Sequence, residues 1–240
     1  MHSRRPAILI TGFGPFPSIG TNATALLVPL IAAAAARTFR GIAFPYEILP
    51  TEWSAGVARA ERLYHLHRPA VALHFGVSGR ASGFEIETRA RNHCSRTHDA
   101  AGLLPSVERL SPRGPEFLPV TLPAPYIVDR LRRRGLPASL SRDAGGYLCN
   151  ALLYRALEIA RSRQDAPRTG FIHLPASLVR SSRPLRGPAP LCRMDWADVV
   201  EGSLEIIAAC LGRTVPPLQA PVIRSRSPQT APAGLTFRRS

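Results

Sequence analysis

The first 78 residues alternate between short apolar runs and longer segments with helical periodicity, and this alternation constrains the fold more than any other feature. Apolar runs at 6–14, 41–50 and 70–78 predict buried strands. The segments between them, 22–39 and 52–67, predict helices, the first capped by Asn22. In a β-α-β-α-β order, each helix forms the crossover connection between two parallel strands. We therefore expect a single three-layer α/β/α domain with a mostly parallel, twisted sheet and helices on both faces.

The rest of the chain continues the pattern as far as residue 212. Residues 84–92 alternate like a half-exposed strand, and 169–177 form a last apolar run. Three further segments have helical periodicity, at 124–135, 150–163 and 196–212. Residues 93–122 are irregular and long enough for a functional loop. We expect one domain over 1–212, followed by a disordered tail over 213–240 that is rich in proline, serine and arginine.

Composition narrows the possible functions. The 240 residues carry a formal net charge of +15, and all 31 basic residues are arginine. The arginines are scattered and no aromatic platform accompanies them, which argues against nucleic acid, although the basic tail keeps that alternative open. No apolar run approaches the roughly 20 residues of a membrane helix, and the N-terminal run is too short for a signal peptide, so we expect a cytoplasmic protein that does not bind membranes.

Four cysteines have irregular spacing and no paired motif, which fits neither a disulfide framework nor a zinc site. We expect no metal and no cofactor. One of them, Cys149, follows a glycine pair and stands where a helical pattern begins. The positive end of a helix lowers the pKa of a thiol there, and the free amides could hold an oxyanion. The competing interpretation is a small buried cysteine that packs under the helix.

A nucleophilic thiol needs a base and a group that orients the base. His173 lies at the carboxyl end of an apolar strand, where sheets of this kind place their chemistry. Glu85 and Glu87 are two residues apart and share one face of a strand. Alternatively, His173 is a structural histidine and the glutamates pair with nearby arginines. Spacing leaves both interpretations open.

Several motifs, in their order along the chain, resemble those of pyroglutamyl peptidase I, a family of cysteine peptidases also called pyrrolidone-carboxylate peptidases. They are TGFGPF at 11–16, HFGVSG at 74–79, IETRARN at 86–92, GLPASLSRDAGGYLCN at 135–150 and GFIHLPAS at 170–177. The resemblance extends over residues 8–211. It implies removal of an N-terminal pyroglutamyl residue from peptides through a thioester intermediate, in a homo-oligomer that the family suggests is a tetramer.

The resemblance also implies roles for individual residues. Cys149 is the nucleophile, His173 its general base and Glu87, rather than Glu85, the orienting acid. Three further residues bind the pyrrolidone ring: Phe13 and Phe16 enclose it, and Leu148 lies near it.

The match is less close in two segments. Where the family has an arginine that supports the oxyanion, this chain has Thr97. Arg96 lies one residue earlier, and the resemblance makes it the candidate for that support. Thr88 to Arg91 also depart from the family pattern. These differences motivate one more alternative, a weakened relative that binds pyroglutamyl ends or hydrolyses another small amide.

Overall fold

The computed structural model describes residues 5–16, 20–178 and 194–215. The predicted β-α-β-α-β order is present. It consists of β1 (Ile8–Phe13), α1 (Ala23–Thr38), β2 (Tyr46–Leu49), α2 (Trp53–His67) and β3 (Val71–Ser78). The chain continues through β4 (Phe84–Glu87), β5 (Arg89–Arg91), β6 (Phe117–Pro119), α3 (Ala124–Arg133), β7 (Ala138–Ser141), α4 (Leu148–Ser162), β8 (Arg168–Pro175) and α5 (Trp196–Leu211).

Six strands form the central sheet in the order β2-β1-β3-β8-β4-β7. Every pairing in it is parallel except that between β4 and β8. The prediction of a mostly parallel sheet is therefore confirmed. The antiparallel pairing also matters for the site, because it places Glu85 opposite His173.

Helices cover both faces of the sheet. On one face, α1, α3 and α5 pack together, and on the other α2 packs against α4. β1 illustrates the effect of this cover on the sequence. Ile8 and Ile10 belong to one hydrophobic cluster, whereas Leu9 belongs to the cluster on the other face. Successive strand residues point to opposite faces, so a strand covered on both faces must be apolar at every position. Asn22 caps α1 as predicted, because its Oδ1 accepts the Thr24 N–H at 3.1 Å.

The prediction of one strand over 84–92 is wrong. β4 belongs to the central sheet, whereas β5 pairs with β6 in a separate two-stranded sheet. Thr88 is the junction: its N–H donates to the Ser141 carbonyl at 2.8 Å, and its own carbonyl accepts the Val120 N–H at 3.1 Å. Its backbone thus bonds to partners on either side, and the chain passes from one sheet to the other.

The described residues extend to 215, just past the predicted domain boundary at 212. Gly212 adopts a left-handed conformation that terminates α5, and Val215 is buried against the first hydrophobic cluster. Residues 216–240, most of the predicted tail, lie outside the described residues. Within the described ranges, no helix is long and apolar enough to cross a membrane.

Candidate active site

The carboxyl ends of β1, β3 and β8 meet the start of α4 around a cavity of about 430 Å³. This is the edge of a parallel sheet at which ligand sites are expected. Five of the predicted site residues line the cavity: Phe13, Phe16, Leu148, Cys149 and His173. Glu85, the glutamate that was not chosen as the orienting acid, also lines it.

Cys149 is the second residue of α4, which confirms that a helix begins beside it. Tyr147 precedes the helix in an extended conformation and makes no side-chain capping bond. Gly145 has a φ of 80°, a left-handed conformation that suits glycine. A Cβ at Gly146 would lie 1.9 Å from Ser95 Oγ, so this turn can pass close to Ser95 only with glycine. The turn therefore delivers a half-buried, free thiol to the cavity wall.

His173 lies between Cys149 and a carboxylate. Its Nδ1 is 2.8 Å from Glu87 Oε1, and its side chain hydrogen bonds Cys149. Glu87 is fully buried at the end of β4, whereas Glu85 is half-buried and lines the cavity. The residues alone left the two glutamates as alternatives; the carboxylate that hydrogen bonds the imidazole is that of Glu87.

The surroundings of His173 favour its charged form. Burial by itself lowers the pKa of the imidazole, but the hydrogen bonds and negative charges of Cys149 and Glu87 outweigh burial and raise the pKa from 6.5 to about 10. An imidazolium is therefore stable at neutral pH beside the sulfur. Such a cation stabilises a thiolate, which is the reactive form of cysteine.

The side of the cavity near β1 is aromatic. Phe13 is buried and Phe16 half-buried, and both line the cavity with Leu148. The Phe16 ring lies 6.0 Å from that of Tyr147, which in turn packs edge-on against Trp53 at 5.0 Å. Tyr147 was not predicted from the sequence, although its place beside Leu148 was a signal that could have identified it.

Phe171 is a second residue of the site that was not predicted from the sequence. It is fully buried below the site, and its ring lies 4.8 Å from that of His173 and 6.4 Å from that of Phe13. A Cβ added to Gly76 would lie 2.7 Å from Phe171 Cζ and 3.1 Å from Cys149 Sγ. Phe171 can thus pack against His173 only because Gly76 has no side chain to occupy that space.

Arg96 is not brought to the site. Its side chain is 70% exposed, its guanidinium lies 3.8 Å from Glu108, and it is not among the residues that line the cavity. Thr97 contributes a carbonyl that accepts the Trp53 indole N–H at 2.9 Å. The loop therefore supports an aromatic neighbour of the site, and the structure gives no support to an oxyanion role for Arg96.

Among the described residues, Glu85, Glu87 and His173 are the one group with donor atoms close enough to hold a metal ion, all within 4.8 Å of one another. The hydrogen bond between Nδ1 and Oε1 already occupies one donor atom on each of two members. This arrangement suits acid–base chemistry at least as well as metal binding.

The other cysteines differ from Cys149. Cys94 and Cys210 are buried and free, and burial raises the pKa of both thiols, that of Cys210 to about 12. Cys192 lies outside the described residues. Of the described cysteines, Cys149 is therefore the one that a ligand in the cavity can reach.

Comparison with known proteins identifies relatives over most of the chain. Residues 6–185 match the family model described as pyroglutamyl peptidase. A pyrrolidone-carboxylate peptidase of Chromobacterium violaceum is 36% identical over 172 residues, which are 70% of this chain and 77% of that protein. One from Oceanobacillus iheyensis is 32% identical over 171 residues, 71% of this chain and 84% of that protein.

Solved structures give the same result. The crystal structure of pyroglutamyl peptidase I from Bacillus amyloliquefaciens superposes with a TM-score of 0.74 at 25% identity, covering 86% of this chain and 97% of that one. A mutant pyrrolidone carboxyl peptidase from Pyrococcus furiosus superposes with a TM-score of 0.77 at 26% identity, covering 86% and 98%.

Proposed function

Since this chain belongs to the pyroglutamyl peptidase family, and is thus a cysteine peptidase that hydrolyses the amide bond after an N-terminal pyroglutamyl residue, we propose that Cys149, His173 and Glu87 carry out its chemistry. Cys149 is the nucleophile, His173 the general base and acid, and Glu87 the group that orients the imidazole. The observation that carries the proposal is the 2.8 Å contact between Nδ1 and Glu87 Oε1 in a ring that also hydrogen bonds Cys149. It leaves the other ring nitrogen to exchange protons with sulfur and substrate.

The reaction proceeds in two stages. The Cys149 thiolate attacks the carbonyl carbon that follows the lactam ring and forms a carbon–sulfur bond. His173 then gives its proton to the amide nitrogen, the carbon–nitrogen bond breaks, and the shortened peptide leaves as an amine. Water attacks the remaining thioester while His173 takes one of its protons. The carbon–sulfur bond breaks and pyroglutamate is released.

Backbone amides at the start of α4 are suited to hold the oxyanion. The first N–H groups of a helix have no intrahelical acceptor, and Tyr147 supplies no side-chain cap. Charge on the carbonyl oxygen develops next to Cys149, which lies in that first turn. Donors that are fixed before the reaction stabilise such charge without reorganising. This arrangement needs no contribution from Arg96.

The aromatic side of the cavity is suited to the substrate ring. A lactam is flat and uncharged, so Phe13 and Phe16 can cover its faces while Leu148 closes its edge. The departures from the family pattern next to Glu87 lie outside this cavity. Arg89 stacks on the Phe117 ring at 4.1 Å, and Arg91 pairs with Glu116 at 2.9 Å.

The proposal also includes a cellular compartment and an oligomeric state. Free thiols at Cys94, Cys149 and Cys210 suit a reducing compartment, which supports the cytoplasm. Leu26 and Leu30 lie one turn apart on α1 and are each 48% exposed, which supports burial in a homo-oligomer, a tetramer by resemblance. Light scattering during gel filtration measures the assembly.

Turnover of pyroglutamyl-aminomethylcoumarin tests the function, with prolyl-aminomethylcoumarin as the matched control that lacks the ring carbonyl. We expect coumarin release from the first compound alone. Binding of the pyroglutamyl compound without turnover would instead support the weakened relative. Equal hydrolysis of both compounds would contradict the proposed recognition of the lactam.

A further inference from the structure

The cavity around Cys149 has two chemically different ends. The end near β1 is lined mainly by aromatic and apolar side chains, with Asn22 and Thr51 as its polar members, and is the proposed lactam site. The opposite end is polar, and it is lined by Ser78, Arg80, Glu85, Ser141 and Asp143. A peptide whose lactam occupies the aromatic end must extend past Cys149 toward the polar end.

Glu85 lies where the departing part of the substrate would be. It is the cross-strand partner of His173, and donor atoms of Glu85, Glu87 and His173 lie within 4.8 Å of one another. His173 must deliver its proton to the leaving nitrogen. The residue that begins with that nitrogen is therefore held beside the imidazole, on the side of the cavity that Glu85 lines.

The Glu85 carboxylate has no hydrogen-bond donor in the part of the chain that the structure describes. Glu87 beside it is bonded to His173. Two cations act on Glu85 electrostatically, His173 and, less strongly, Arg80. His173 Nδ1 is hydrogen bonded to Glu87, and the Arg80 guanidinium lies 3.7 Å from Asp143, with both of those side chains more than two-thirds exposed. Burial raises the pKa of Glu85. A half-buried carboxylate in this condition gains most from a cationic donor on the ligand.

We propose that Glu85 forms part of a subsite for the residue that follows pyroglutamate and selects a cationic side chain there, arginine above all. This inference rests on the proposed function, because it takes a pyroglutamyl peptide as the substrate. A guanidinium presents two parallel N–H donors to a carboxylate. The overall charge of +15 opposes a cationic peptide, but exposed charges are screened over about 8 Å at physiological ionic strength, whereas Glu85 acts at contact.

The test compares pyroglutamyl-arginine amide with pyroglutamyl-citrulline amide, a neutral side chain of nearly the same shape, at about 0.15 M salt. Mass spectrometry follows the released amino-acid amide. We expect kcat/KM to favour arginine by about 1.5- to fivefold, the range for one partly exposed ion pair. Glu85→Gln brings the ratio close to one, whatever it does to the absolute rates. Arg80→Gln raises the ratio because it removes one of the two cations, His173 being the other, that compete with the ligand for Glu85.

Glu201→Gln is the control, since Glu201 lies on α5 and pairs with Arg134 at 3.7 Å. It should keep the wild-type ratio. A wild-type ratio of one would overturn the inference. So would a Glu85→Gln enzyme that is slower on both peptides with an unchanged ratio, because Glu85 would then act on His173 rather than on the substrate. Pyroglutamyl-aminomethylcoumarin has no side chain at this position: failure to hydrolyse it counts against the proposed function, not against the subsite alone.

Discussion

Gly76→Ala is the substitution whose consequences the structure defines most sharply. The new methyl group would lie 2.7 Å from Phe171 Cζ, 2.8 Å from Phe171 Cε1 and 3.1 Å from Cys149 Sγ. Real Cβ atoms essentially never approach a neighbour as closely as the first two distances. Phe171 is fully buried, so its ring can move only by displacing the side chains around it, among them His173 at 4.8 Å.

The expected loss of stability follows from overpacking. Forcing a methyl group into a filled core costs about 1–3 kcal/mol. In a domain of this size, each 1 kcal/mol lowers Tm by about 2–4 °C. We therefore expect Gly76→Ala to lower Tm by about 2–12 °C. Activity should fall further, by about 10- to 100-fold in kcat, because the methyl group displaces both the thiol and the ring that packs on the base.

Gly79→Ala is a matched control three residues away, where an added Cβ would meet nothing within 4 Å. It should leave kcat unchanged and Tm equal to or slightly above that of the wild type. Circular dichroism melting and steady-state hydrolysis of pyroglutamyl-aminomethylcoumarin measure both effects. A Gly76→Ala enzyme with wild-type Tm and kcat would refute the packing of Phe171 against Cys149 and His173.

Three other predictions concern the acid, a buried histidine and the tail. Glu87→Gln should lower kcat by about 10²-fold or more and Glu85→Gln by less than about tenfold, since only Glu87 bonds His173 Nδ1; near-normal kcat for Glu87→Gln would contradict this. Burial lowers the pKa of His74 to about 3, so the folded state excludes a proton that the unfolded chain binds below pH 6.5. The contribution of neutral His74 to the free energy of unfolding is therefore present above pH 6.5 and is lost as pH falls. In urea unfolding, we expect the free energy of unfolding to drop by about 1–2 kcal/mol between pH 6.5 and pH 5. A free energy of unfolding that does not change over this range would disprove the prediction. Truncation after Val215 should leave Tm within about 2 °C, and a larger loss would show that the tail packs on the domain.

The local patterns of the sequence predicted most of the sheet and the start of α4. Apolar runs such as that of β1 are visible because both faces of the sheet are covered, and Cys149 stands where helical periodicity begins. β7 was not predicted, because it is an edge strand of four residues in which two are serines and the middle two are exposed, so it has no apolar run. The separation of β4 from β5 depends on hydrogen bonds that Thr88 makes to distant segments, which no local pattern reveals.

The site, too, was predictable only where it depends on local patterns of the sequence. Strand alternation correctly placed Glu85 and Glu87 on one face, but their depth depends on position along the sheet, and only Glu87 lies deep enough to be fully buried against His173. Phe171 and Gly76 matter through contacts between neighbouring strands, which become visible only when β3 and β8 are paired.

Alkylation of individual cysteines tests the central claim most directly. The wild-type enzyme is treated with iodoacetamide at neutral pH, and peptide mass spectrometry follows Cys94, Cys149, Cys192 and Cys210 while residual hydrolysis of pyroglutamyl-aminomethylcoumarin is measured in the same samples. We predict that Cys149 reacts fastest, because its thiol lines the cavity beside His173 whereas Cys94 and Cys210 are buried, and that activity falls in step with its modification. Equal labelling of all four cysteines with activity retained would contradict the assignment of Cys149 as the nucleophile.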